Sequence, residues 1–259
     1  MPRRSYEYLM NAKNTTVSLL DFPIYRNDLY QIDWSTKTLI NTINQYSFCI
    51  AQEDAAFKKA LQGSAVLLPD GMAIVAAARL LTNTKITKIA GAQLHDFLLH
   101  KLNETGGSCF YLGASQDTLD KITDKVNLEF PKVQVHSYSP PFKAVFSESD
   151  NLKMVAAVNA VSPDVLFIGM TAPKQEKWAF EHKNMLQAQT ICSIGAVFDF
   201  YAGTVKRPSS FWIALQLEWF IRLIKEPQRM WKRYLYYGPV FIGYILREKA
   251  KLLFTNSQN

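Results

Sequence analysis

The stretch DVLFIGM, from Asp164 to Met170, is almost wholly apolar, and residues 174–186 that follow it read as helix. A run with no polar face has nothing to offer water, so it reads as a strand buried on both sides. Upstream, SCFYL from Ser108 to Leu112 has the same character, Ser64 to Leu68 reads as a short apolar strand, and Val133 to His136 reads as another strand. Thr190 to Ile194 follows downstream, KTLINTIN from Lys37 to Asn44 is the first clear strand, and a further short one is expected near Ile86 to Ile89. Helical patterns separate them. They run through Phe48, Ala51, Ala55, Phe57 and Leu61, then Met72 to Leu81, then from Gly91 to Leu102, then Leu119, Ile122 and Val126, then Leu152 to Val161. Strands alternating with helices predict an α/β fold: a Rossmann-like parallel sheet covered by helices on both faces. Ligands in such sheets bind beyond the carboxyl ends of the strands.

Of the 259 residues 48% are hydrophobic and 20% charged, enough apolar mass for one α/β domain with an appendage and too little chain for two large domains. Cys49, Cys109 and Cys192 lie far apart in apolar segments, which suggests buried thiols, not a disulfide framework or a metal site. No apolar run follows Arg3 and Arg4, so no secretory signal is expected, and no stretch approaches the ~20 apolar residues of a membrane span. The net charge of +7 is concentrated late in the chain. From Lys206 onward lie Arg207, Arg222, Lys225, Arg229, Lys232, Arg233, Arg247, Lys249 and Lys251, against Glu218, Glu226 and Glu248. Such a surplus calls for an anionic partner: lipid headgroups, a diphosphate or nucleic acid.

Five strand ends carry candidate chemistry: Thr42 with Asn44, Asp70 with Gly71, Gly113, Gly169 through Gln175, and Gly195 through Asp199. Taken singly, each glycine reads as a tight turn. Four at successive strand ends read as a rim of backbone N–H groups and helix N-termini that would hold phosphate. Asp70, between Pro69 and Gly71, fits either a helix N-cap or a general base, and position alone does not separate the two. Lys174, Gln175 and Glu176 read as a solvated first helical turn, with Gln175 also able to bond a sugar hydroxyl or a uracil edge. His95, His100, His136 and His182 have no metal-ligand spacing, and no G-x-S-x-G elbow supports serine hydrolysis.

The tail from 206 to 259 is expected to be a helical, basic and aromatic appendage to a core of residues 1–205. Trp212, Leu215, Trp219, Phe220 and Leu223 share one helical stripe, and Pro227 ends that helix and starts another. YLYYGPVFIGYIL, Tyr234 to Leu246, is thirteen residues without a charge, bracketed by Arg233 and Arg247. It is too short to span a bilayer and suits the headgroup region of an anionic membrane. A helix packed on the core or on a second subunit is the alternative, which leaves a homo-oligomer open.

Six motifs extend this reading: TIN at 42–44, LPDGM at 68–72, KIAGAQL at 88–94, APKQEKW at 172–178, FDFYAGTVKR at 198–207 and LEWFIRLIKEPQR at 217–229. In order and spacing they resemble the WecG/TagA/CpsF glycosyltransferases, from about residue 37 to residue 247. The resemblance implies an inverting, metal-independent transferase without cofactor. It would move an N-acetylmannosamine-like sugar from a UDP-sugar to an undecaprenyl-diphosphate-linked acceptor, at the inner face of the cell membrane. It also implies that Asp70 is the general base, that Thr42 and Asn44 line the sugar pocket, that Gln175 binds the donor, and that Arg222, Arg229 and Lys232 fold over the site to meet the diphosphate. Lys88 stands where the family usually has Arg, keeping the charge without the bidentate fork. Gln93 replaces an Asp, which removes a charge expected near the pocket.

Two other classes make different demands. A Rossmann oxidoreductase needs G-x-G-x-x-G with an acidic residue some twenty positions on, which Leu112-Gly113-Ala114-Ser115 does not supply. A nucleic-acid-binding module would use the basic tail but leave Thr42, Asp70 and Gln175 without a role, so no nucleic acid is expected as partner.

Overall fold

A computed structural model describes residues 15–205 and 218–256; the expected tail features at Lys206, Arg207, Trp212 and Leu215 lie outside the described residues. The first described strands form a hairpin, β1 (Thr16–Leu19) against β2 (Phe22–Tyr25), which precedes the first strand read from the sequence. β3 (Thr38–Ile43) leads to Asn44, whose Oδ1 accepts from the backbone N–H groups of Tyr46 (3.1 Å) and Ser47 (3.0 Å) and so starts α1 (Gln45–Glu53). Asp54 then leaves helical geometry and caps α2 (Ala55–Gln62), accepting from the Phe57 N–H at 2.9 Å. The amphipathic pattern over Phe48 to Leu61 is therefore two helices, since a capping side chain in its middle starts a second one.

β4 (Val66–Pro69) and α3 (Met72–Thr82) follow. The strand expected near Ile86 to Ile89 is absent from the sheet: the Ile89 N–H reaches the Pro69 carbonyl (2.9 Å), but the segment forms no ladder. Then come α4 (Gly91–Thr105), β5 (Ser108–Gly113), α5 (Gln116–Glu129), β6 (Gln134–Tyr138), α6 (Glu148–Asn159), β7 (Val165–Gly169), α7 (Lys174–His182), β8 (Thr190–Ser193) and α8 (Val197–Tyr201). Six strands pair in parallel in the order β4-β3-β8-β7-β5-β6.

The apolar run that led to the sheet is split by the pleat as a doubly covered strand must be. Val165 and Phe167 face Tyr111, Cys192 and the helices α4 and α5, while Leu166 and Ile168 face Phe110, Leu112 and the helices α6 and α7. The three cysteines are buried and free.

In the tail, α9 (Glu218–Lys225) gives way to α10 (Pro227–Trp231), with Pro227 in its first turn as expected. A π-helical turn, Lys232–Tyr236, then feeds α11 (Tyr237–Asn256). Tyr237, Phe241 and Ile245, four residues apart, are buried in one cluster with Phe48, Cys49, Ile74 and the β1–β2 hairpin. The rings of Phe241 and Phe48 meet edge to face at 5.2 Å. Each such buried side chain contributes roughly 1.5–3 kcal/mol. One face of the charge-free segment is thus core, while Leu235, Ile242 and Leu246 remain exposed. No helix among the described residues is long and apolar enough to cross a membrane.

Candidate active site

A cavity of about 1390 Å³ opens over the carboxyl ends of all six parallel strands. Thr42, Asn44, Asp70, Gly71, Lys88, Gly113, Gly169, Gln175 and Gly195 all line it. These residues are scattered over more than half of the sequence, and the parallel topology brings them to one edge.

Asp70 is half-buried and leaves β4 with its N–H bonded to the Ile43 carbonyl at 2.8 Å. The cap position of α3 belongs to Gly71 and carries no side-chain cap. Of the two readings open to Asp70, the cap is therefore not the one observed. Thr42 lies on β3 opposite Leu68 of β4, close to Asp70 in the register. Asn44 spends its Oδ1 on capping α1, and its Nδ2 makes no hydrogen bond among the described residues.

The glycines divide into two kinds. Gly113 and Gly169 are in register on β5 and β7, and a Cβ on Gly113 would lie 2.4 Å from the Gly169 carbonyl oxygen. A Cβ on Gly169 would meet the Phe198 ring at 2.3 Å. These two permit close packing of the cavity floor. The N-termini of α3, α4 and α7, and not these glycines, are the features at the cavity that a phosphate could meet. Their N-cap positions are Gly71, Ala90 and Pro173, none of which caps with a side chain, and the first residues of each helix line the cavity. By contrast α1, α2, α5 and α6 are capped by Asn44, Asp54, Ser115 and Ser147. Uncapped N-termini present unpaired N–H groups and the positive end of the helix dipole to an anion.

Lys88, Lys143, Lys174 and Arg233 bring positive charge to the cavity, against Asp70, Glu176 and Asp199. Lys143 is paired with Asp150 at 2.8 Å. Lys174 sits 3.5 Å over the Phe146 ring centroid, donates to the Lys143 carbonyl, and has its pKa lowered by burial.

The first turn of α7 is not solvated. Gln175 and Glu176 are 4% and 3% exposed, because Trp178 and Ala179, three and four residues from Gln175, carry the buried stripe of this helix through it. Gln175 Oε1 accepts from the Met170 N–H (3.1 Å) and its Nε2 donates to Glu176 Oε1 (2.8 Å). Burial pushes the Glu176 carboxyl up to about 7, opposed by the bond from Gln175 and by the charge of Arg233.

Of the three basic residues expected from the tail, only Lys232 has a described side chain. Lys232 is exposed and does not line the cavity; its ammonium lies 6.0 Å from the Tyr237 ring centroid. Neighbours on a helical turn point in different directions, and here the next residue, Arg233, faces inward with its guanidinium 4.4 Å from the Tyr46 ring centroid. The side chains of Arg222 and Arg229 lie outside the described residues. Gln93 is exposed and outside the cavity lining, its Oε1 accepting from the Ala90 N–H at 2.8 Å. The charge lost with an Asp there is lost from a helix start, not from the pocket wall.

Residues 14–254 match the model of the glycosyl transferase WecG/TagA/CpsF family. The chain belongs to this family. As a glycosyltransferase it is similar to the N-acetylglucosaminyldiphosphoundecaprenol N-acetyl-beta-D-mannosaminyltransferase of Bacillus subtilis (strain 168), at 29% identity over 96% of this chain and 94% of the relative. A protein of the same name from Bacillus spizizenii is 26% identical over 85% of this chain and 83% of the relative. Another from Staphylococcus aureus (strain MW2) is 25% identical over 84% of each. Within this glycosyltransferase, the charged cavity residues Glu176, Arg233 and Lys143 are among those that the expected set did not include. The buried stripe of α7 was the available signal for Glu176. For Arg233 there was only its place in the basic cluster beside Lys232.

Proposed function

We propose that this chain transfers an N-acetylmannosamine-like sugar from a UDP-sugar to a sugar carried on undecaprenyl diphosphate, in the synthesis of a bacterial cell-surface polymer. The observation that carries the reading is the position of Asp70: a half-buried carboxylate outside any helix cap, in a cavity bordered by three uncapped helix N-termini and by Lys88. The names of the relatives supply the acceptor class and the sugar.

The reaction is a single displacement. The acceptor hydroxyl gives its proton to Asp70 as its oxygen forms a bond to the anomeric carbon. The bond from that carbon to the β-phosphate oxygen breaks with its electron pair leaving on UDP, which inverts the configuration. Thr42 and Asn44 line the sugar side, the Asn44 Nδ2 offering a donor. Gln175 holds the donor, and the helix N-termini with Lys88, Lys174 and Arg233 meet the diphosphate charge, with Arg222 and Arg229 expected alongside, so that no metal is required. The exposed apolar flank of α11 and the basic residues beside it rest on the anionic inner face of the membrane, where a polyprenyl acceptor resides.

The test offers a panel of UDP-sugars with a short-chain lipid diphosphate sugar and follows UDP release, with and without chelator. Turnover of one sugar nucleotide only when acceptor is present, insensitive to chelator, is expected. Turnover without acceptor, or loss of activity with chelator, would overturn the corresponding part of the reading.

A further inference from the structure

Gln175 is set between two fixed partners. The backbone N–H of Met170 can only donate, so the amide oxygen of Gln175 must be the atom facing it at 3.1 Å. That settles the amide orientation without reference to any ligand. The Nε2 then lies 2.8 Å from Glu176 Oε1, an acceptor that suits it. A Cβ at Gly195 would stand 3.2 Å from either end of the amide, so the strand end behind it leaves no slack. Glu176 is itself 3% exposed, and its Oε2 is buried without a hydrogen-bond partner among the described residues. A buried carboxylate oxygen left in this state is costly and calls for a reason.

We propose that Glu176 is a positioning residue: it locks the Gln175 amide so that Gln175 meets the sugar nucleotide as a hydrogen-bond donor through its remaining Nε2–H. The ligand atom read at this point is therefore an oxygen acceptor, of a carbonyl, phosphate or hydroxyl group. The charge of Arg233 acts on the Glu176 carboxyl, so the tail contributes to the donor pocket through this pair as well as by lining it. This rests on the reading of the cavity as the donor site.

Two measurements test it, one of which needs no donor. In the free protein, the Gln175 side-chain amide signals, assigned by loss in Gln175→Glu, are expected at a distinct position in ¹H–¹⁵N spectra, retained in Glu176→Gln and moved to the ordinary glutamine position in Glu176→Ala. Unmoved signals in Glu176→Ala would overturn the proposal whether or not the enzyme turns over. With donor and acceptor, Glu176→Ala and Gln175→Glu are expected to lower kcat/KM for the donor about 10- to 100-fold with the acceptor KM unchanged, and Glu176→Gln to restore most of it. Normal donor kinetics in Glu176→Ala, or equal loss in Glu176→Ala and Glu176→Gln, would overturn it. Absence of turnover in the unaltered enzyme would instead count against the functional reading, leaving the spectra to decide on Glu176.

Discussion

Gly113 and Gly169 end adjacent strands side by side, with the space for a Gly113 Cβ occupied by the Gly169 carbonyl oxygen at 2.4 Å. Backbone cannot move aside as a flexible side chain can, and the φ of Gly113, 124°, is itself one that other residues rarely adopt. Gly113→Ala is expected to destabilise the protein by roughly 1–3 kcal/mol, read as a lower urea midpoint with an unchanged slope.

Asp70 can be tested apart from folding, because α3 does not depend on it for a cap. Asp70→Asn is expected to keep the melting temperature and the affinity for UDP while turnover falls ~10²- to 10⁴-fold. Full turnover in a folded variant would remove Asp70 from the reaction.

Glu176 gives stability a definite dependence on pH. Its folded pKa, about 7, lies above the ordinary 4.5, so between those values the folded state holds a proton that the unfolded state has shed. Stability must then fall as pH rises across this window. Glu176→Gln does not titrate, so it should gain on the parent between about pH 5 and about pH 8, by on the order of 2–3 kcal/mol in denaturant melts. A constant difference across this range would show that the carboxyl titrates elsewhere.

The two faces of α11 should separate in experiment. Phe241, 3% exposed against Phe48, holds the tail to the core, and Phe241→Ala should cost roughly 3–5 kcal/mol at that contact and speed proteolysis within residues 218–256. Ile242 and Leu246, 57% and 59% exposed, face outward. Ile242→Glu with Leu246→Glu should leave the melting temperature unchanged and reduce sedimentation with anionic vesicles. Unaltered vesicle binding would send the membrane contact to another surface.

Most of the sheet was legible from the sequence because a strand buried on both faces must be apolar throughout, as Val165 to Ile168 are. The hairpin at Thr16–Leu19 and Phe22–Tyr25 was not, since strands of four residues carry little periodicity and Phe22 finds its partner, Phe48, far along the chain. Ile86 to Ile89 misled in the other direction: Ile86 and Ile89 are buried, but beyond the one bond from the Ile89 N–H to the Pro69 carbonyl, at the end of the edge strand β4, the segment forms no ladder. In the site, Thr42, Asp70 and Gln175 could be placed from strand ends alone. The inward turn of Arg233 and outward turn of Lys232 depend on how the helical turn that carries them is rotated about its axis, a property that adjacent basic residues do not announce.

Three helices of eight residues or more begin uncapped at the cavity and leave part of the protein's own local structure to be finished by something else. On the proposed function a diphosphate placed there would do for α3, α4 and α7 what Asn44 does for α1, which would make the nucleotide a structural component as much as a reactant. Serine or aspartate at position 90 would install a permanent tenant where the proposed ligand belongs, and tolerance to heat would rise at the expense of turnover; position 71, with its φ of 129°, keeps its glycine for the reason Gly113 does.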